Sequence, residues 1–214
     1  MSEVVQRVHL AMARHRTRTL ANGAAIHLSA EMTLNDVEAL LRDVDVVPSA
    51  KSVIAVGHDG LRSSTRARLS LHQEDYHLER RPLVLCFWCE RTAMFGGRTL
   101  VSSVEPARLA TMTEYRHARV RYFRRSSQEW TPWRPLLERI STEWWARIAL
   151  PDAHRNVECR SGAGDAFDDL QAMVGPVEAV DWSAGDVLVI DNRLGVHGRE
   201  AIGPGSRSLH RWVA

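Results

Sequence analysis

Lysine is almost missing from this chain. Lys51 is the only one among 28 Lys and Arg residues in a sequence of 214. An arginine bias of this kind, alongside plentiful Ala, Val and Gly, reads as codon pressure from a GC-rich genome rather than as chemistry. Nor is there a strong charge of either sign. The net charge of +2 gives no electrostatic footing for nucleic acid or a membrane surface. Cysteine is scarce as well. Cys86, Cys89 and Cys159 cannot build a disulfide framework, and Cys86 and Cys89 lie in a buried strand-like run, "PLVLCFWCE", where residues three apart face opposite sides. With no second C-x-x-C to complete a zinc site, structural thiols in a reducing cytoplasm are expected. No apolar run approaches the roughly 18 residues that span a bilayer. The N-terminus has no signal-peptide core or cleavage pattern and reads as a short surface helix. Walker sequences and nucleophile elbows are absent. "GAGDAF" (162–167) lacks the third glycine and the preceding strand of a dinucleotide site.

What is present is an ordinary globular composition, 44% hydrophobic and 25% charged, in a length suited to one domain. "TLNDVEALLRDVDVV" opens on an N-cap, Thr33, and carries apolar residues at helical spacing. Short strand-like runs follow at 52–56, 66–71, 82–89 and 98–102. A short helix is expected over 104–112 and an alternating strand over 117–123. The stretch 126–174 is irregular, with helix-like pieces "PLLERISTEWWARI" and "AFDDLQAMV". Trp130, Trp133, Trp144 and Trp145 in it are read as core, with a substrate lid as the alternative. The last 40 residues return to strands, "VEAVDW", "GDVLVID", "RLGVHGR" and "SLHRWVA", separated by Gly, Asp-Asn and Pro-Gly turns. Strands at both ends around a helical insert predict a mainly β fold with flanking helices, an antiparallel barrel or jelly roll, rather than βαβ units.

Two His-x-acid triplets lie five residues apart, His72–Gln73–Glu74 and His77–Leu78–Glu79. Roughly one such triplet is expected by chance from 10 histidines and 26 acids, so neither is informative alone. His72 and Glu74 end an alternating run, where residues i and i+2 share a strand face and can reach one metal. His77 and Glu79 sit in "YHLERRP", which reads as an exposed turn. A two-histidine, one-carboxylate set then needs a distant histidine. His197, on the strand after the Asp191–Asn192 turn, is the best candidate.

Taken together, H-x-E, then "GG-x-T" starting 24 residues after His72, then "GDVLVIDNRLGVHGR" and a late arginine resemble the Fe(II)/2-oxoglutarate-dependent oxygenases. The resemblance is to the taurine dioxygenase and clavaminate synthase-like branch, and it covers residues 66 to 214. It implies one oxygenase domain over 1–214, with an N-terminal flank (1–60) and a double-stranded β-helix (jelly-roll, cupin-like) core from about 66 to 214. It further implies Fe(II) held by His72, Glu74 and His197, with 2-oxoglutarate as cosubstrate and O2 as oxidant. Thr99 matches the residue that helps hold 2-oxoglutarate. Arg211 matches the arginine that pairs with its distal carboxylate, and Arg207, of the same strand parity, is the alternative. Glu74 fills the position that halogenases on this scaffold leave to halide, so hydroxylation or a related oxidation is implied.

The expected substrate is a small polar metabolite, an amino acid or amino-acid-like natural-product intermediate. Asp75 and Tyr76 would form one wall and the region 126–166 another, with Arg193 and Arg199 as candidates for a substrate carboxylate. The reading implies no nucleic-acid or membrane partner and leaves oligomeric state open. Two rivals remain. One is a metal-binding jelly roll without oxygenase activity. The other is nucleic-acid binding through "RVRYFRR" (119–125) and the tryptophan-rich segment, where arginines and aromatics could stack on bases.

Overall fold

The computed structural model describes residues 1–56, 66–112, 115–124, 128–140, 143–150, 157–160, 166–203 and 206–214. "GAGDAF" therefore lies largely outside the described residues, as do parts of 126–166 and Arg125. The chain opens with α1 (Glu3–Ala11), β1 (Arg16–Leu20), a 3-10 turn, β2 (Ala25–Ser29) and α2 (Leu34–Asp43). It continues through β3 (Ala50–Val56), β4 (Leu69–His72), β5 (Val84–Arg91), β6 (Thr99–Ser103) and α3 (Pro106–Thr111). An excursion of short strands follows: β7 (Arg119–Arg124), β8 (Glu129–Trp130), β9 (Arg134–Pro135), β10 (Leu137–Ile140), β11 (Glu143–Ala146) and β12 (Val157–Arg160). Then come α4 (Ala166–Met173), β13 (Glu178–Val180), β14 (Val187–Asp191), β15 (Gly195–Arg199) and β16 (Arg207–Val213).

Two antiparallel sheets carry the fold. One runs β1-β2-β14-β5-β16-β3, the other β13-β6-β15-β4. The chain alternates between them, so that β4, β5 and β6, and again β14, β15 and β16, change sheet at each step. The pleat of β14 shows why this closes. All five of its residues are buried, because both faces are covered. Val187 and Val189 pack outward against Val4, Val5 and Val8 of α1 and Val37, Leu40 and Leu41 of α2. Leu188 and Ile190 point inward, against Leu85, Phe87, Leu209 and, from the second sheet, Val101 and Val180. The outer face of the second sheet, Leu71, Leu100 and Val196, packs on α3 and the β10–β11 hairpin. A strand covered on both faces reads as a continuous apolar run, which is how "VLVI" looks in the sequence.

Local signals account for several element ends. Thr33 and Asp36 form a reciprocal capping box at the start of α2, removing two unpaired backbone donors. Cys86 packs in the outer cluster and Cys89 in the inner one, on opposite faces as their spacing requires. Burial raises the thiol of Cys89 to about 11 and holds all three cysteines well above the usual range.

Elsewhere the structure departs from the sequence reading. The described residues of 135–148 form no helix. Glu138 faces Trp145 and Arg139 faces Trp144 across the β10–β11 hairpin. Trp and Ile suit a pleated, half-buried surface. Arg147, only 2% exposed, is drawn inward by Glu138. The β1–β2 hairpin had no clear sequence signal. Its edge strand is mostly exposed and arginine-rich, as edge strands tend to be. The N-terminal helix forms, but one face of it belongs to the core.

Candidate metal and cosubstrate site

The inward-facing residues at one end of the inter-sheet space are polar instead of apolar. Position sets this. On β15, His197 pairs with Val101 of β6 and Arg199 with Thr99, so His197, Arg199, Thr99 and Val101 share the inner face. On the other edge of β15, His197 lies directly opposite His72 of β4, and the two rings are 4.4 Å apart. On β16, Arg207 and Arg211 share the inward parity of Leu209.

His72 Nδ1 lies 2.9 Å from the carbonyl of Ser70. A carbonyl only accepts, so Nδ1 carries the proton and Nε2 keeps its lone pair for a ligand role. Glu74 does not owe its place to a strand face, because β4 ends at His72. Asn192 holds it instead, accepting from its amide at 2.7 Å and donating to its carbonyl at 3.1 Å. Its carboxylate faces His197 Nε2 at 3.6 Å, too long for a hydrogen bond but an arrangement in which both atoms can ligate one ion. The other carboxylate oxygen accepts from Arg211 at 2.7 Å.

Among the described residues no three His, Cys, Asp or Glu side chains are grouped closely enough to hold a metal ion as they stand. His72, Glu74 and His197 nonetheless offer the donor types of a two-histidine, one-carboxylate metal site. The His72 and His197 rings face each other at 4.4 Å, the Glu74 carboxylate lies 3.6 Å from His197 Nε2, and its other oxygen is held by Arg211. His77 and Glu79 lie in a turn, and Glu79 is largely exposed beside Arg134 at 3.4 Å.

The second half of the site centres on Thr99, 3% exposed. Its hydroxyl accepts from Trp182 Nε1 at 2.9 Å and from Arg207 Nη2 at 3.0 Å. The Arg207 guanidinium is buried, and among the described residues no carboxylate pairs with it. Burial first, and the nearby Arg199 second, lower its pKa to about 10. A buried cation without a counter-charge is costly, and an anion is what would relieve it. A cleft of about 420 Å³ beside Arg207 and Trp182 is bounded by Gly96 and Gly97, both in the left-handed region. A side chain on Gly96 would strike the Ala201 carbonyl at 2.4 Å, so this turn requires glycine.

The remaining sequence candidates are placed as follows. Arg211, the first choice for the cosubstrate carboxylate, sits on Glu74 and Ser52 rather than on Thr99, because Arg207 is the strand position that reaches β6. Arg193 pairs within its own turn, donating to buried Asp191 through two side-chain hydrogen bonds of 2.9 and 2.5 Å. Arg199 is buried beside Arg207 and donates to the Ala67 carbonyl at 2.8 Å. Tyr76 packs edge-on to His72, 6.2 Å between centroids, and against Tyr122. Asp75 occupies the turn with a positive φ of 49°.

Of the four tryptophans at 130, 133, 144 and 145, only Trp145 is buried. Trp130 and Trp133 are half-buried and sandwich Arg121 at 4.6 and 4.8 Å. That arginine also pairs with Glu158, which leaves its charge neutralised.

Sequence alone marks Asn192 only as a turn residue and gives no sign of a buried network behind His72 and Glu74. Gln73 accepts from Arg81 at 3.1 Å and donates to the Arg193 carbonyl at 3.1 Å. Glu138 bridges Arg81 and Arg147 at 2.9 and 3.0 Å, and Arg147 donates to the carbonyls of Tyr76 and Leu78. The turn that carries Glu74 is thereby tied to the β10–β11 hairpin.

No protein-family model and no curated protein matches the sequence. Solved structures do match. PvcB from Pseudomonas aeruginosa superposes with a TM-score of 0.61 at 22% identity, over 90% of this chain and 76% of that one. A second PvcB structure, of an Fe, alpha-ketoglutarate dependent oxygenase from an isonitrile synthetic pathway, gives 0.61 at 24% identity over the same shares. Asparagine oxygenase with Fe(II), 2S,3S-3-hydroxyasparagine and succinate gives 0.57 at 19% identity, over 76% of this chain and 56% of that one. The non-heme iron oxygenase OrfP with Fe, succinate and (3S)-hydroxy-L-Arg gives 0.54 at 20% identity, over 76% and 58%. The chain spans little more than half the length of the last two. At these identities the likeness establishes a shared fold.

Proposed function

We propose that this protein is an Fe(II)- and 2-oxoglutarate-dependent oxygenase built on a double-stranded β-helix, and that it hydroxylates an amino acid or a similar small polar metabolite. The observation that carries the reading is the buried Arg207 guanidinium on Thr99, with no carboxylate paired to it among the described residues, on the same inner face as His197. Thr99 and His197 are diagonal neighbours across the β6–β15 pair, a relationship that spans about 7–8 Å. That distance suits a short diacid anchored at one end on the guanidinium and at the other among the metal ligands.

In this reading His72, Glu74 and His197 hold the iron. Arg207 and Thr99 take the distal carboxylate of the cosubstrate, a planar fork and a hydroxyl matched to a carboxylate. Bound Fe(II) would supply, with O2, the oxidation of substrate coupled to decarboxylation of the 2-oxo acid to succinate. The residues of the chain bind, orient and exclude water. Arg211, about one-quarter exposed at the Glu74 end, can turn to a substrate carboxylate once Glu74 ligates. Tyr76 walls the same end beside His72. The solved structures of asparagine oxygenase and OrfP contain hydroxylated amino acids, which supports the substrate class.

The test is succinate release with Fe(II) and 2-oxoglutarate across a panel of substrates. Stimulation by polar amino-acid-type compounds is expected. Stimulation only by lipids, oligonucleotides or carrier-bound compounds would reassign the substrate, and no succinate with any compound would leave a metal-binding jelly roll as the better reading.

A further inference from the structure

We infer that Trp182 is a positioning residue for the cosubstrate, acting through Thr99 to turn its hydroxyl into an obligate donor toward the distal carboxylate. This rests on the reading that the Arg207 end receives that carboxylate. A threonine hydroxyl has one proton and two lone pairs, whereas an indole N–H and a guanidinium can only donate. Trp182 Nε1 and Arg207 Nη2 therefore fill both lone pairs of Thr99, at 2.9 and 3.0 Å. Only the hydroxyl proton is left. In a group 3% exposed a proton without an acceptor is expensive, and a carboxylate on Arg207 is placed to accept it.

Trp182 is itself held firmly enough for this role. Its ring meets His27 edge-on at 6.0 Å, and His27 pairs with buried Asp186 at 3.2 Å. Asp186 also accepts the Ser183 amide at 2.8 Å, tying down the loop that carries the indole. Gly185 lets that loop close on the chain at Glu31. With φ at +85°, a side chain there would meet the Glu31 Cα at 2.6 Å. The Arg207 guanidinium lies 5.7 Å over the Trp182 ring, so one side chain orients both anion-binding groups.

The experiment is calorimetric titration of 2-oxoglutarate into Mn(II)-loaded protein, with pyruvate as a 2-oxo acid that lacks the distal carboxylate. Trp182→Phe keeps the ring and removes the N–H. It should weaken 2-oxoglutarate binding about tenfold, the loss of one buried oriented hydrogen bond, while leaving Mn(II) and pyruvate affinity unchanged. Thr99→Val should weaken it at least as much, and the double variant no more than Thr99→Val alone, since the indole N–H acts only through that hydroxyl and the Phe ring stays under Arg207. If Trp182→Phe folds poorly, the sulfur isostere of tryptophan at position 182 removes the same N–H without changing shape. Wild-type-like binding in either variant overturns the inference, as does full additivity with Thr99→Val or an equal loss for pyruvate. Wild-type protein that fails to bind 2-oxoglutarate overturns the site reading and this inference together, and that arm is measured first.

Discussion

Asn192 clasps the backbone of Glu74 from both sides, accepting from its amide at 2.7 Å and donating to its carbonyl at 3.1 Å. The same side chain donates to the Pro82 carbonyl at 2.8 Å. One turn residue between β14 and β15 thus fixes the position of a carboxylate 118 residues earlier. Asn192→Ala should lower iron affinity 10–100-fold, the usual cost of losing a group that orients a ligand, with His72 and His197 still in place. Equilibrium competition against a fluorescent chelator measures this. An unchanged iron affinity would show that Glu74 is held by other contacts.

The ligand assignment makes a sharper contrast. His72→Ala and His197→Ala should abolish turnover and reduce bound iron well below one per chain, measured by metal analysis after gel filtration. His77→Ala should leave both near wild type, because His77 lies in the turn beyond Glu74 and outside the pair of facing rings. The reverse pattern would move the metal to the second triplet.

Arg207 and Arg211 should separate by substrate. Arg207→Met should raise the apparent KM for 2-oxoglutarate at least tenfold, since a charge-assisted pair to a buried carboxylate contributes about 1.5–3 kcal/mol. Arg211→Met should raise the KM for the substrate more than that for 2-oxoglutarate. Steady-state kinetics with each varied in turn decide it, and a larger 2-oxoglutarate effect from Arg211→Met would restore the assignment made from sequence spacing.

That spacing shows how far the sequence could be read. Alternation exposed the strands of the C-terminal half because each has a covered face, and the GG-x-T turn was visible because Gly96 tolerates no side chain. Parity placed Arg207 and Arg211 on one face but could not say which one faced Thr99, because that depends on the register of β16 against its neighbours. The β10–β11 hairpin was hidden by its own chemistry. Leu137, Ile140 and Trp144 fall at helical spacing, whereas the buried ion pair of Glu138 with Arg147 that fixes the strand is a tertiary fact. Asn192 looked like any turn residue until its partner in space was known.

The Glu138 network should matter for stability independently of catalysis. Glu138→Gln leaves the buried guanidiniums of Arg81 and Arg147 facing each other without a counter-charge. Burial, then repulsion from Arg147, already lowers the pKa of Arg81. The loss should be about 3–5 kcal/mol, lowering the melting temperature by on the order of 10 °C. Scanning calorimetry tests it, and a shift of only a degree or two would mean that water or rearrangement satisfies both arginines.

The cysteines predict the response to alkali. In an unfolded chain a thiol ionises near about 8.5, whereas burial holds Cys89 and Cys159 at about 11 in the folded protein and Cys86 higher still. Between those values the unfolded state binds fewer protons than the native state, so stability must fall as pH rises from about 8.5 to 11. Lys51 and three tyrosines belong to residue types that also ionise near about 10, so the share of the Cys89 thiol is read from the difference between wild type and variant. The urea midpoint should therefore decline from pH 8 to pH 10.5 in the wild type, and Cys89→Ala should flatten the slope even if it lowers the midpoint overall. Native protein at pH 8 should react with a thiol-specific disulfide reagent far more slowly than urea-unfolded protein. Rapid labelling of native Cys89, or an alkaline slope identical in the variant, would show that its thiol is not held by burial.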